Sequence, residues 1–342
     1  MSTGLFLVKP AARVVLLCAP QTRKLGEQLV RITKSVSLGQ ITWDKFPDGF
    51  PNIFVHDVEK LKGCQIIFLA CFDLASSIFE QMSVLCSLPQ YAPLSIKIIL
   101  PFFPVGTMER VDREGEIATA RTLARILSSV PPCRGGPMDL VIYDIHALQE
   151  RFYFGDSVIP VLESAVPLLL RRLERLAAER GATGQAWTRA FAIGFPDEGA
   201  YKRYNAMFVD FDTIVCIKVR QGNERKITIK EGDAAGRHVV LVDDMIQSGG
   251  TLLECGKAIL SYGAASVSAF CTHGVFPKRA WQKFRGGPFA KVWVTDSCPM
   301  QVAELEGVAP FEVLSLAPLL APIVEPPEPG RAEPAAPRLS RL

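Results

Sequence analysis

The stretch HVVLVDDMIQSGGTLLECGKAI, residues 238–259, decides how this chain is read. Its opening run, His238 to Val242, is rich in β-branched residues and unbroken, the composition of a strand buried on both faces of a parallel sheet. Asp243 and Asp244 therefore stand where such a strand emerges. Thr251 and Glu254 have the spacing of a capping box, and Leu252, Leu253, Ile259 and Leu260 recur at helical intervals, so a helix is expected to open at Thr251. Between them Gln247, Ser248, Gly249 and Gly250 offer little side chain and much backbone, and their amides can turn toward an anion at the helix N-terminus. Strand, acids, amide nest and helix together describe a phosphate site flanked by two carboxylates that accept hydrogen bonds from sugar hydroxyls. A strand ending in two solvated acids before an ordinary turn fits the same residues.

Similar apolar runs recur at 14–17, 65–71, 96–100, 140–143, 191–195, 213–217 and 267–271, alternating with helical patterns. The alternation argues for an α/β fold with largely parallel sheets flanked by helices. Sliding the chain by 173 residues sets QIIFLACFDLASSIFEQM, from Gln65, under HVVLVDDMIQSGGTLLEC, from His238. Two similar α/β domains are expected, over 1–158 and 159–320, although two strand–helix units can also align by chance. Ala70 and Cys71 of the first copy stand where the second has its acids, so the phosphate site belongs to the second domain. Residues 162–180 read as an amphipathic helix docked on a surface. The Pro-rich stretch 321–342 has little to bury and is expected to be disordered.

A length of 342 residues suits two domains, and 49% hydrophobic content is ample for their cores. No apolar stretch approaches the roughly 20 residues of a membrane span. The N-terminal residues run straight into a strand-like segment at Val14, which leaves little room for a cleavable signal and points to the cytoplasm. Nine cysteines without a CxxC pair, several inside apolar runs, read as free buried thiols. The formal charge of +3, with acids and bases interspersed, marks no nucleic-acid surface but allows small anionic ligands. Gly256 and Lys257 are followed by Ala258, so the P-loop motif is absent.

The 238–251 stretch closely resembles the diphosphoribosyl-binding motif of the type I phosphoribosyltransferase fold. Four further segments narrow the resemblance: DIHA at 144–147, FPDEGAYKR at 195–203, KVR at 218–220 and FPDG at 46–49. Their order and spacing, over about residues 12–318, are similar to those of the ribose-phosphate pyrophosphokinase family, which is built of two such domains. That resemblance implies transfer of the diphosphoryl group of ATP to the anomeric hydroxyl of ribose 5-phosphate, with AMP released. It implies a ribose 5-phosphate site at Asp243, Asp244, Gln247, Ser248, Gly249, Gly250 and Thr251. It implies Mg²⁺ held at Asp144, His146 and Asp197, with His146, Lys218 and Arg220 catalytic. Phe46 and Asp48 are implied to reach the nucleotide of a neighbouring subunit, which makes the protein a homo-oligomer.

The chemistry suits those residue types. Negative charge builds on the attacked phosphoryl group, and fixed cations there supply most of the catalysis. Lys218 and Arg220 alternate on an extended stretch and so share a side, one a movable point charge and the other a fork for phosphate oxygens. The polar residues 221–236 that follow read as a mobile lid. By themselves, a Lys-x-Arg pair reads as solvated charge and His146 as a hydrogen-bonded structural histidine; His56, His238 and His273 are read as structural.

Two departures stand out. Thr107 and Met108 occupy the positions where most of the family has arginine and glutamine against the nucleotide, with Arg110 close by, and Phe50 replaces a glutamate. Both are similar to the plant-type second class, which is implied to need no phosphate activator and to accept donors beyond ATP. A non-catalytic regulatory or partner subunit is the alternative reading. A transferase consuming the diphosphate ranks last, because the first domain would then be superfluous.

Overall fold

The computed structural model describes residues 13–181, 184–221 and 224–325, with the side chains of 184–186, 220–221 and 224–225 outside the description. In the first half the strands are β1 (Val14–Cys18), β2 (Val36–Leu38), β3 (Ile41–Lys45), β4 (Pro51–Val55), β5 (Gln65–Leu69), β6 (Ser95–Leu100), β7 (Met138–Tyr143) and β8 (Val158–Glu163). Helices α1 (Arg23–Ile32), α2 (Ala75–Ser87) and α3 (Thr119–Leu127) connect them. Six strands form one sheet in the order β2-β1-β5-β6-β7-β8, every neighbouring pair parallel, while β3 and β4 make a separate antiparallel hairpin. All five residues of β1 are buried, as a strand covered on both faces requires.

The second half begins with α4 (Val166–Glu179) and continues through β9 (Ala192–Phe195), α5 (Glu198–Tyr204), β10 (Asp212–Gln221), β11 (Glu224–Glu231) and β12 (His238–Ile246). Then come α6 (Gly250–Ser261), β13 (Ser266–Gly274), β14 (Phe289–Thr295), α7 (Pro299–Val302), β15 (Phe311–Leu314) and α8 (Ala317–Val324). Its sheet runs β11-β10-β9-β12-β13-β14-β15, parallel except for β10 with β11. The run β9-β12-β13-β14-β15 follows the same pattern as β1-β5-β6-β7-β8. Gln65 and His238, aligned by the 173-residue shift, each open the strand next to the first strand of their sheet.

Three expectations shift. The boundary expected after 158 falls at the start of β8, and the first sheet extends to Glu163. β8 carries Pro160, which an edge strand tolerates because one side of it needs no donors. The amphipathic helix consequently starts at Val166, not 162. The tail expected to be disordered from 321 is helical through 324, because Leu320 and Val324 are buried within the same apolar cluster as Leu25 and Leu29 of α1. The rest of the tail, from 326, and the N-terminal residues 1–12 lie outside the described residues.

One apolar cluster runs through both halves: Val14, Leu16 and Leu29 from the first, Leu169 and Leu173 of α4, and Phe191, Leu316 and Leu320 from the second. Each such fully buried leucine contributes about 1.5–3 kcal/mol. The two sheets are therefore joined by a shared core, and α4 fills the middle of it. The nine cysteines are free thiols, and no helix among the described residues is long and apolar enough to cross a membrane.

Candidate active site

At the C-terminal ends of β7, β9 and β12 lies a cavity of 730 Å³ lined from both halves of the chain. Thr107, Glu109, His146 and Gln149 come from the first half, and Asp197, Arg203, Lys218, Asp243, Asp244 and the 245–252 turn from the second. Ligands of open parallel sheets bind at these strand ends, where loops and helix N-termini converge.

The amide nest forms by a different device from the one expected. Thr251 and Glu254 make no capping box; Gly249 caps α6 with a left-handed φ of 74°, and the helix starts at Gly250. A side chain at Gly249 would be strained at that φ, and its Cβ would also lie 2.4 Å from Phe284. Thr251 serves another purpose, since its Oγ1 accepts a hydrogen bond from Lys218 Nζ at 2.9 Å. The proposed phosphate cradle and the lysine of β10 are thus already in contact. Gln247, Ser248 and Gly250 line the cavity with them.

Asp243 and Asp244 are held by nearby amides: Asp244 N donates to Asp243 Oδ1 at 2.9 Å and Met245 N to Asp244 Oδ1 at 2.8 Å. Burial, and then the charge of Asp244, raises Asp243 well above the usual carboxylate range. Burial also acts against Asp244, yet the hydrogen bond to His146 and the charges of Arg203 and His146 draw it below its ordinary value. His146 Nδ1 lies 2.6 Å from Asp244 Oδ2, and this bond raises the histidine above its ordinary 6.5. Asp197 caps α5, its Oδ1 accepting from Ala200 N at 2.9 Å.

Asp144 stands apart from the other expected metal ligands. It is wholly buried, it does not line the cavity, and both its oxygens are occupied by hydrogen-bond donors. With its lone pairs taken by these donors, Asp144 offers no open position for a cation as the side chains stand.

Arg220 lies on β10 two residues beyond Lys218, but its side chain is outside the described residues. The lid expected over 221–236 is largely strand: β11 pairs antiparallel with β10, and Ile227, buried, stands between the polar Lys226 and Thr228. Residues 222–223 lie outside the described residues.

Phe46 and Asp48 sit at the tip of the β3–β4 hairpin and do not line the cavity of their own chain. Asp48 Oδ1 accepts from Phe50 N at 3.1 Å and so fixes the turn, leaving Phe46 51% and Phe50 64% exposed. Thr107 lines the cavity, Met108 is exposed beside it, and Arg110 faces an adjoining hollow of 500 Å³ with Arg121, Arg125 and Phe152. Glu109 lines both spaces.

Two residues escaped the sequence reading. Arg203 lies inside the FPDEGAYKR segment, yet nothing in its spacing announces that its Nη1 donates to the His146 carbonyl at 2.9 Å. Glu150 is wholly buried beneath Gly106 and His146, with Oε1 accepting from Ala147 N at 3.0 Å and Oε2 without a hydrogen-bond partner among the described residues. Burial lifts it to about 7. His56, His238 and His273 bond to Thr42, Ser268 and Ser297.

Residues 198–284 match the family described as "Phosphoribosyl transferase domain". "Ribose-phosphate pyrophosphokinase 3, chloroplastic" of Arabidopsis thaliana is 49% identical over 90% of this chain and 75% of its own length. "Ribose-phosphate pyrophosphokinase 3, mitochondrial" of Spinacia oleracea is 47% identical over 91% and 76%. Among solved structures, the phosphoribosylpyrophosphate synthetase from Mycobacterium smegmatis superposes with a TM-score of 0.72 at 22% identity, covering 91% of this chain and 97% of its own. That likeness is one of fold.

Proposed function

Because the chain belongs to the ribose-phosphate pyrophosphokinase family, we propose that it moves the diphosphoryl group of ATP, or of another nucleotide, onto the anomeric hydroxyl of ribose 5-phosphate within the 730 Å³ cavity. The products are 5-phosphoribosyl 1-diphosphate and AMP. The observation that carries the assignment of the site is the convergence of Lys218 on Thr251 at the mouth of the amide nest, beside the Asp243–Asp244 pair.

In this reading the 247–251 backbone amides hold the 5-phosphate, and the two aspartates accept hydrogen bonds from the ribose hydroxyls. Asp243, raised by burial and by its neighbour, and Asp244, drawn down by His146 and Arg203, divide the work: one keeps a proton more readily and the other keeps its charge. Lys218 and Arg220 neutralise charge on the attacked phosphoryl group, the term worth most in this chemistry.

The residues also fit Mg²⁺. With Nδ1 on Asp244, His146 has Nε2 without a partner among the described residues, and Asp197 keeps one oxygen beyond its cap. Burial and the charges of Asp244 and Asp197 together raise Asp243, so the pocket carries negative charge that a cation would offset. No group of three or more ligating side chains occurs among the described residues, which suits a cation that takes most of its remaining ligands from phosphates and water. When bound, the ion would draw charge from the phosphates; His146 and Asp197 would hold it.

For the nucleotide, Thr107, Met108 and Arg110 line or border the route from the cavity past Glu109 into the basic hollow. Phe46 and Asp48, displayed on their hairpin, would serve a neighbouring subunit, so that a homo-oligomer completes the site. The cytoplasmic placement rests on sequence alone, the two relatives above being named for organelles.

Incubating the protein with ATP, Mg²⁺ and ribose 5-phosphate, without added phosphate, tests the reading against Lys218→Ala. AMP that requires the sugar and disappears in the variant is the expected result. A folded protein that forms no AMP with any nucleotide, with or without phosphate, would overturn it.

A further inference from the structure

We infer that Asp144, working with Arg203, is a positioning residue that fastens the second domain onto the loop carrying His146. This rests on the diphosphotransferase reading of the cavity and deepens it.

The four donors to Asp144 come from separate places. Ser164 Oγ and Ala165 N, in the connection between β8 and α4, donate to Oδ1 and Oδ2, each at 2.8 Å. Tyr204 OH, at the end of α5, donates to Oδ1 at 3.2 Å, and Thr272 Oγ1, on β13, to Oδ2 at 2.5 Å. A carboxylate rooted at the end of β7 in the first sheet is therefore gripped by two elements of the second. Asp144 has a left-handed φ of 38°, a conformation strained for a non-glycine residue, which the surrounding bonds must hold in place.

Arg203 extends the grip to His146. It lies 3.9 Å from Asp144 Oδ1 through Nη2, while Nη1 donates to the His146 carbonyl. Both ends of the Asp144–His146 tripeptide are thus tied to the last turn of α5. The first residue before that short helix is Asp197, in the cavity. α5 is consequently a strut with Asp197 at one end and the anchor of His146 at the other, and tilting it would displace both. Nearby, His273 Nε2 lies 3.0 Å from the Tyr143 carbonyl, a second tie between the sheets beside the first. The outcome of this fastening is the 2.6 Å approach of His146 to Asp244.

Asp144→Asn keeps size but turns one acceptor into a donor, and it separates a positioning role from a metal-ligand role only beside variants of its partners, since an anchor weakens when any of its bonds is removed and a ligand does not. Thr272→Val and Tyr204→Phe, each removing one bond outside the cavity, accompany it and carry the test should the Asn variant fail to fold. For each variant kcat, KM for ribose 5-phosphate and the Mg²⁺ concentration giving half-maximal rate are measured, with Mn²⁺ binding in the presence of ATP followed by electron paramagnetic resonance. Expected are a kcat at least about tenfold lower for Asp144→Asn and a few-fold lower for the other two. KM for the sugar should stay within about twofold; because His146 and Asp197 would hold the ion, the Mg²⁺ requirement and Mn²⁺ affinity should weaken in all three variants, in the same order as kcat. A weaker metal affinity confined to Asp144→Asn, with Thr272→Val and Tyr204→Phe binding Mn²⁺ as the wild type does, would make Asp144 a ligand. Unchanged kcat with only a lower melting temperature would reduce it to ordinary core. A wild-type protein without activity defeats the diphosphotransferase reading instead, and the Mn²⁺ measurement then still decides whether Asp144 holds metal.

Discussion

His146 Nδ1 and Asp244 Oδ2 meet at 2.6 Å although 98 residues and two sheets separate them. The bond favours the charged forms of both groups: it raises His146, and with Arg203 it lowers Asp244 against the effect of burial. A raised histidine stabilises the fold fully below its unfolded value near 6.5 and loses that contribution as pH climbs through the folded value. A lowered aspartate contributes above its unfolded value near 3.8 and fails as pH falls through the folded one. In metal-free buffer, His146→Gln should therefore cost most between these limits, about 1 kcal/mol because the histidine is 38% exposed. Denaturant midpoints of both proteins across pH check this; a gap that widens toward alkaline pH would contradict it.

Lys218→Ala should lower kcat about 100-fold or more while leaving the melting temperature within a degree or two, since the side chain is exposed and, among the described residues, bonds the Thr251 hydroxyl. Steady-state AMP formation and a thermal scan on the same preparation separate the two effects.

Gly249→Ala tests the nest. The variant must take a φ near 74° and push aside Phe284, which is buried among Phe276, Phe289 and Phe311. A loss of about 1–3 kcal/mol in stability is expected, with a raised KM for ribose 5-phosphate and little change in that for ATP.

Glu150→Gln should stabilise the protein at alkaline pH. Burial raises this acid to about 7 from 4.5, so the folded chain bears a growing penalty as pH climbs between those values. Glutamine removes it, by up to about 3 kcal/mol above pH 7, and the advantage should vanish below pH 4.5. Melting temperatures at pH 4.5 and 8 decide the matter.

Thr107→Arg restores a guanidinium on the first-domain wall of the cavity. Its fork suits phosphate and base stacking, so KM for ATP should fall several-fold while that for the sugar holds. Equal gains for every nucleotide triphosphate would mean that Thr107 faces phosphate alone.

What could be read from the sequence follows physical lines. β1, β5, β6, β7, β9, β12 and β13 were visible because a strand covered on both faces must be apolar throughout. β3 and β4 were not, since their hairpin is half exposed; β8 hid behind Pro160, and β11 behind Lys226, Thr228 and Lys230, which alternate with Ile227 and Ile229. The nest was legible because its glycines and acids adjoin in sequence. The true role of Asp144 was not: Ser164, Tyr204 and Thr272 stand 20, 60 and 128 residues away, distances at which no spacing rule operates. The resemblance had carried Asp144 in with the metal ligands, and its place outside the cavity, with both oxygens bonded, is what separates it from them.

The seating of α8 on α1 bears on how the protein is made. Ser315 Oγ donates to Gln28 Oε1 at 2.9 Å, and Leu320 and Val324 share a cluster with Leu25 and Leu29. A ribosome delivers α1 early and α8 some 300 residues later. Throughout that interval the apolar face of α1 lacks its cover, and it is a surface that a nascent-chain chaperone can hold. Completion of the first domain is thereby deferred until α8 has emerged, and a chain truncated before Ala317 would leave the apolar face of α1 uncovered.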